Sequence, residues 1–138
     1  MKMFVTAHYK NGENRAEIEN LCRLVREAGF EDVCFIRDVE NYQNVFSDPQ
    51  ALMQRAKLEI RACDALLIDL SSASTGRAIE AGIAYGANKK IVILMKKGTE
   101  LRDTVVGIAD KSIEYIELAD IVQPLKEFLQ NGFDENNP

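Results

Sequence analysis

Two short runs, Ala65-Leu66-Leu67-Ile68 and Ile91-Val92-Ile93-Leu94-Met95, contain no polar residue, and they constrain the fold more than any other feature of the chain. A strand with one wetted face alternates polar and apolar side chains; a strand covered on both faces does not. Both faces are covered when strands run parallel, because each parallel crossover needs a helix to bring the chain back. The rest of the sequence supplies those helices. Met3-Phe4-Val5-Thr6 is β-prone, and over residues 13–28 Ile18, Leu21, Cys22 and Val25 recur at helical spacing before Gly29 closes the segment. Val33-Cys34-Phe35-Ile36 reads as a second strand, and Asp48-Pro49 gives an N-cap and first-turn proline to a helix striped by Met53, Ala56, Ile60 and Cys63.

The third strand, residues 65–68 with Asp69 at its end, leads to a third helix over 76–87 and a fourth strand over 91–95. A shorter helix is predicted over 100–109 and a fifth strand over 112–117. A last helix carries Leu125, Phe128 and Leu129, with Pro124 limiting its upstream reach. The fold class is therefore α/β: a single doubly wound five-stranded parallel sheet, a flavodoxin-like or Rossmann-like three-layer sandwich. It spans residues 1–132, followed by a flexible tail over 133–138. In such sheets ligands sit beyond the carboxyl ends of the strands, near the point where strand order reverses. That rule nominates the segments after Thr6, Ile36, Ile68 and Met95.

Composition removes several function classes. Seventeen basic against twenty-two acidic residues give a net charge of −5, so the chain has no overall source for the counterion release that drives binding to a nucleic acid polymer. No apolar run approaches the roughly 20 residues that cross a bilayer. Cys22, Cys34 and Cys63 are odd in number and embedded in apolar stretches, which suits buried reduced thiols in a cytoplasmic setting, and the N-terminus lacks the pattern of a secretory leader. The chain also lacks GxxxxGK[ST], GxGxxG after the first strand, HExxH and GxSxG, so kinases, dehydrogenases, zinc proteases and α/β-hydrolases are poor fits.

The segment Asp69-Leu70-Ser71-Ser72-Ala73-Ser74-Thr75-Gly76 runs from strand to helix and is crowded with hydroxyls. Backbone N–H groups at a helix start with hydroxyls beside them suit an anion such as phosphate; equally, Ser74 or Thr75 simply caps the helix. Within residues 76–88 only Arg77 and Glu80 carry charge, so Glu80 is either paired with Arg77 three residues back or held toward a cleft. The connection between Ile36 and Asp48 has eleven residues, longer than the usual two to six or so, and includes Asn41, Tyr42, Asn44 and Phe46. Its amides and rings could meet a base, or Phe46 could anchor a plain surface loop. The sole histidine, His8, follows the first strand beside Tyr9 and Lys10.

The stretch Ala62 to Asp69, followed by Gly76-Arg77-Ala78-Ile79-Glu80-Ala81-Gly82-Ile83-Ala84 and Lys90-Ile91-Val92-Ile93-Leu94, resembles the nucleoside 2-deoxyribosyltransferase family, which includes the 2′-deoxynucleoside 5′-monophosphate N-glycosidases. The shared pattern is a strand ending near an acid, then a glycine, a glutamate four residues on, and a second glycine two later: Gly76, Glu80 and Gly82. The resemblance implies that Glu80 attacks C1′ of the sugar to give a glycosyl-enzyme, resolved by water or a second base while another acid protonates the departing base. It also implies a phosphate-binding role for Ser74, with His8 and Lys10 at polar and basic positions of the first loop. The chain departs from the pattern where Ala56 replaces a helping aspartate, Phe4 a tyrosine and Ala7 a glycine; Asp38, Asp48 and Glu59 are the acids left to supply the proton. The resemblance further implies no metal or cofactor, a small deoxynucleoside or deoxynucleotide as ligand, and a homo-oligomer.

On these grounds Glu80 is the expected catalytic residue, and His8, Lys10, Asp38, Asp69, Ser71, Ser74 and Gly76 the expected substrate-binding set. The expected activity is an N-glycosidase or deoxyribosyltransferase; the alternative is a non-catalytic nucleotide-binding or sensor module of the same fold.

Overall fold

The computed structural model describes residues 1–72, 74–100 and 104–132. It contains one five-stranded parallel sheet in the order β2-β1-β3-β4-β5, formed by β1 (Lys2–Val5), β2 (Glu31–Val33), β3 (Ala65–Asp69), β4 (Lys90–Lys96) and β5 (Lys111–Tyr115). The chain moves outward from β1 to β2, then returns past β1 to build β3, β4 and β5, so strand order reverses between β1 and β3. This is the predicted flavodoxin-like arrangement.

The unalternated runs are buried from both sides. On β3, Ala65 and Leu67 join Met3, Val5, Val92 and Leu94 under α1 (Arg15–Glu27) and α5 (Val122–Asn131). Leu66 and Ile68 turn the other way, to Phe4, Ile91 and Ile93 under α3 (Pro49–Arg61) and α4 (Thr75–Gly86). Cys22, Cys34 and Cys63 are free and buried, and no helix among the described residues is long and apolar enough to cross a membrane.

Local chemistry sets the ends of the elements. Gly29 takes φ +106° after α1, a left-handed conformation that costs other residues free energy. Asp48 caps α3 by accepting the Gln50 N–H at 3.0 Å, with Pro49 in the first turn. Asp48→Ala is expected to cost about 1 kcal/mol of stability, measured by urea denaturation, because it leaves that N–H to water.

Three expectations are corrected. The second strand ends at Val33 instead of continuing to Ile36: the Asp38 carboxylate accepts the Cys34 N–H at 2.9 Å, and residues Phe35–Asp38 coil into a short helix, α2. The fifth strand stops at Tyr115, two residues early, since Asp120 takes the N–H groups of Ile116 and Glu117 to cap a 3₁₀ turn at Leu118–Ile121. The segment predicted as helix over 100–109 contains a 3₁₀ helix at Thr104–Ile108, and its residues 101–103 lie outside the described residues, as does the predicted tail. Pro124 sits within the first turn of α5, where its missing N–H leaves no bond unmade.

Candidate active site

Two hollows open at the carboxyl ends of β1 and β3, at the reversal point of the sheet. The smaller, of about 190 Å³, lies toward α3 and α4 and is lined by Glu80, Glu40, Cys34, Met53, Ala56 and Gly76 among others. The larger, of about 600 Å³, lies toward α1 and β5 and draws Lys10, Asp69, Ser71, Arg77, Lys96 and Tyr115. Ala7 and His8 line both.

Glu80 reaches the smaller hollow because of the way α4 packs. Arg77, Ala81 and Ala84 form its buried stripe, and Glu80, three residues from Arg77, lies beside that stripe at the sheet end of the helix. The carboxyl makes no hydrogen bond or ion pair with any described residue. Burial is the main cause that pushes its pKa up, to about 7; Cys34 and Glu40 add to the effect and Arg77 opposes it. A carboxyl in this state is desolvated and unpaired, unlike a charge on the open surface.

Arg77 is not the partner of Glu80, which removes the pairing considered from sequence. Its guanidinium turns back into the loop after β3 and donates to the Asp69 carbonyl at 2.8 Å and to the carbonyl and hydroxyl of Ser72. Those acceptors would otherwise be orphans of an irregular segment. The side chain is 7% exposed, and burial lowers its pKa from the ordinary arginine value. Its Nε is buried without a partner.

The same loop is pinned from β5. The Tyr115 hydroxyl donates to Asp69 at 2.6 Å, the Ser71 N–H donates to the other Asp69 oxygen at 2.9 Å, and the Lys96 N–H donates to Ser71 Oγ at 2.8 Å. Burial and the Asp69 carboxylate push the Tyr115 hydroxyl up to about 12. Ser74 occupies the N-cap position of α4 in extended conformation with no side-chain capping bond, so its hydroxyl is not spent on the helix. It lies in the chain between Ser72, on the larger hollow, and Gly76, on the smaller.

The structure thus brings Glu80, Gly76 and His8 to one hollow and His8, Lys10, Asp69 and Ser71 to the other. Asp38 lines neither. Its carboxylate is taken by Arg37 and by the Cys34 N–H, within a network where Arg37 and Arg26 also grip Asp32. Asp48 and Glu59, the other acids considered as proton donors, are likewise engaged, by the Gln50 N–H and by Arg55. Sequence reasoning missed Glu40, Cys34, Lys96 and Tyr115. Lys96 opens the segment nominated after Met95 without being singled out in it, and Tyr115 stands at the end of β5, a strand end to which the rule applies as well.

The long connection after α2 is anchored by both aromatics. Phe46 stacks on Phe35 at 6.0 Å between centroids, and the Tyr42 hydroxyl donates to Glu19 while its ring leans on Tyr9 at 5.3 Å and lies under the Arg15 guanidinium. Among the described residues no group of three or more His, Cys, Asp or Glu side chains is placed to hold a metal.

A family model described as nucleoside 2-deoxyribosyltransferase matches residues 6–120. Among solved structures, the CMP N-glycosidase BcmB of Clostridium botulinum superposes with a TM-score of 0.64 at 22% identity, over 91% of this chain and 99% of its own. A 2-deoxyribosyltransferase of Bacillus psychrosaccharolyticus gives a TM-score of 0.67 at 16% identity, over 88% of this chain and 90% of its own. A conserved protein of Enterococcus faecalis V583 gives 0.70 at 15%, over 92% and 98%. These structures share the fold.

Proposed function

The chain belongs to the nucleoside 2-deoxyribosyltransferase family, and from that premise we propose that it cleaves the N-glycosidic bond of a 2′-deoxynucleoside or its 5′-monophosphate, with Glu80 as nucleophile. The observation that carries this reading is the unpaired Glu80 carboxyl in a hollow at the strand reversal point. Attack on C1′ forms a glycosyl ester on Glu80 while the base departs; water or a second base then releases the sugar.

The larger hollow supports a monophosphate over a free nucleoside. Lys10, Lys96 and His8 line it, and the unspent Ser74 hydroxyl stands at the adjoining start of α4. The sugar would lie across Ala7 and His8, with its phosphate toward Lys10 and Lys96. The name of the Clostridium botulinum neighbour, a CMP N-glycosidase, is in keeping with a nucleotide substrate. Exposed Ile79, Leu58 and Tyr85 on α3 and α4 fit the homo-oligomer expected for the family.

Incubation with a panel of deoxynucleosides and their 5′-monophosphates, followed by chromatography for free base, tests the reading. Base release is expected, faster from monophosphates; none from any member of the panel would overturn it. Ala56, which leaves α3 without a carboxylate on the hollow, favours the second reading, a silent nucleotide-binding module. That protein would show a melting temperature raised by a nucleotide with no base released.

A further inference from the structure

Resting on the reading of Glu80 as nucleophile, we propose that Glu40 is the general acid and base of the reaction, filling from a different element the role that Ala56 leaves vacant on α3. Three observations converge on it. Glu40 and Ala56 line the same hollow of about 190 Å³ as Glu80. Glu40 is the one other carboxyl there among the described residues, and its side chain makes no hydrogen bond or ion pair with any of them. Asp38, Asp48 and Glu59 are bound to other partners and line neither hollow.

The fold explains how Glu40 arrives. Had the second strand run on to Ile36, the following residues would have been carried past the sheet end. Instead the chain coils at Phe35, the Glu40 N–H donates to the Phe35 carbonyl at 3.1 Å, and the Tyr42 N–H donates to the Ile36 carbonyl at 2.8 Å. These bonds hold Glu40 in a tight turn against α3. Burial raises the Glu40 pKa above its ordinary value, and its charge in turn disfavours ionisation of Glu80. Two carboxyls in one small space share a proton, and the reaction requires the arrangement in which Glu40 holds it and Glu80 is ionised.

The chemistry balances. The Glu80 carboxylate forms a bond to C1′, the C1′–N bond breaks with its electron pair passing to the base, and Glu40 delivers its proton to that base. Water then adds at C1′ as the Glu40 carboxylate takes its proton, and the C1′–O bond to Glu80 breaks to restore the Glu80 carboxylate. The sum is hydrolysis to free sugar and free base.

The test compares two leaving groups on the wild-type chain, Glu40→Gln and Glu80→Gln. One substrate is a deoxynucleoside 5′-monophosphate, whose base needs a proton to leave; the other is 4-nitrophenyl 2-deoxyriboside 5′-phosphate, whose nitrophenolate does not. In the first turnover, before water releases the sugar, Glu40→Gln is expected to slow base release by about 100-fold or more while slowing nitrophenolate release less than about 10-fold. Glu80→Gln is expected to stop both. Equal losses on the two substrates in Glu40→Gln, or none on either, would overturn the role of Glu40 alone. Failure of the wild-type chain to release either leaving group would overturn the glycosidase reading and Glu40's role with it. Glu40→Ala, read the same way with its melting curve beside it, keeps the contrast available if the glutamine variant folds poorly.

Discussion

Replacing Glu80 with glutamine is expected to lower base release by at least about 1000-fold and, at pH 8, to make the protein more stable. The first effect follows from removing the proposed nucleophile while keeping its shape. The second follows from linkage. Glu80 titrates near 4.5 in an unfolded chain and near 7 in the folded one. Between those values the folded state holds a proton that the unfolded state gives up, so stability falls as pH rises through that window and the full penalty remains above it. A displacement of that size corresponds to about 3 kcal/mol. Urea melts of the wild-type chain and Glu80→Gln should therefore differ by that amount at pH 8 and converge by pH 4. The same titration sets the acid limb of activity. Attack needs the carboxylate, so base release should decline as pH drops through about 7. The groups whose charges act on this titration are Cys34 and Glu40 in the same hollow and Arg77 on α4.

Arg77→Ala should unfold the site from the opposite direction. Its guanidinium serves three acceptors in the loop between β3 and α4, and truncation leaves the Asp69 and Ser72 carbonyls without donors. Loss of a buried charged donor with several acceptors costs on the order of 3 kcal/mol, or roughly 10 °C in melting temperature for a domain of this size. Arg77→Lys should recover only part of that, since one ammonium cannot reach both carbonyls in the fixed fork of a guanidinium. In Arg77→Ala, where it still folds, the acid limb of activity should move to higher pH, because the Arg77 charge pulls the Glu80 pKa down; Arg77→Lys keeps the charge and should move it less. Thermal melts and pH–rate profiles of the two variants check both statements.

Much of the architecture was legible because it is written in local patterns. The runs around Leu66 and Ile93 announce strands covered on both faces, and Gly29 and Asp48 mark helix ends through chemistry that acts within a few residues. The error at Val33 to Ile36 has the opposite character. Four apolar residues suit a strand or a buried turn equally, and what decides is the Asp38 carboxylate capturing the Cys34 N–H. That one capture hid Glu40, which lies in the long connection that the sequence singles out for its amides and rings rather than for this carboxyl. Glu80 could be singled out from spacing, yet its freedom from Arg77 could not: three residues apart on a helix, the two look like a pair. Arg77 turns away because the loop carbonyls, which periodicity cannot see, offer it more acceptors. Asp69 was nominated from its place at a strand tip, and its actual tie, to Tyr115, crosses from β3 to β5 over a separation of 46 residues.

Ala7 and His8 form a sill common to the two chambers, since both residues line each of them. Any molecule occupying both rooms must straddle that sill, so discrimination among ligands becomes partly a question of reach: those too short to extend from the carboxyls on one side to the lysines on the other forfeit half their anchorage.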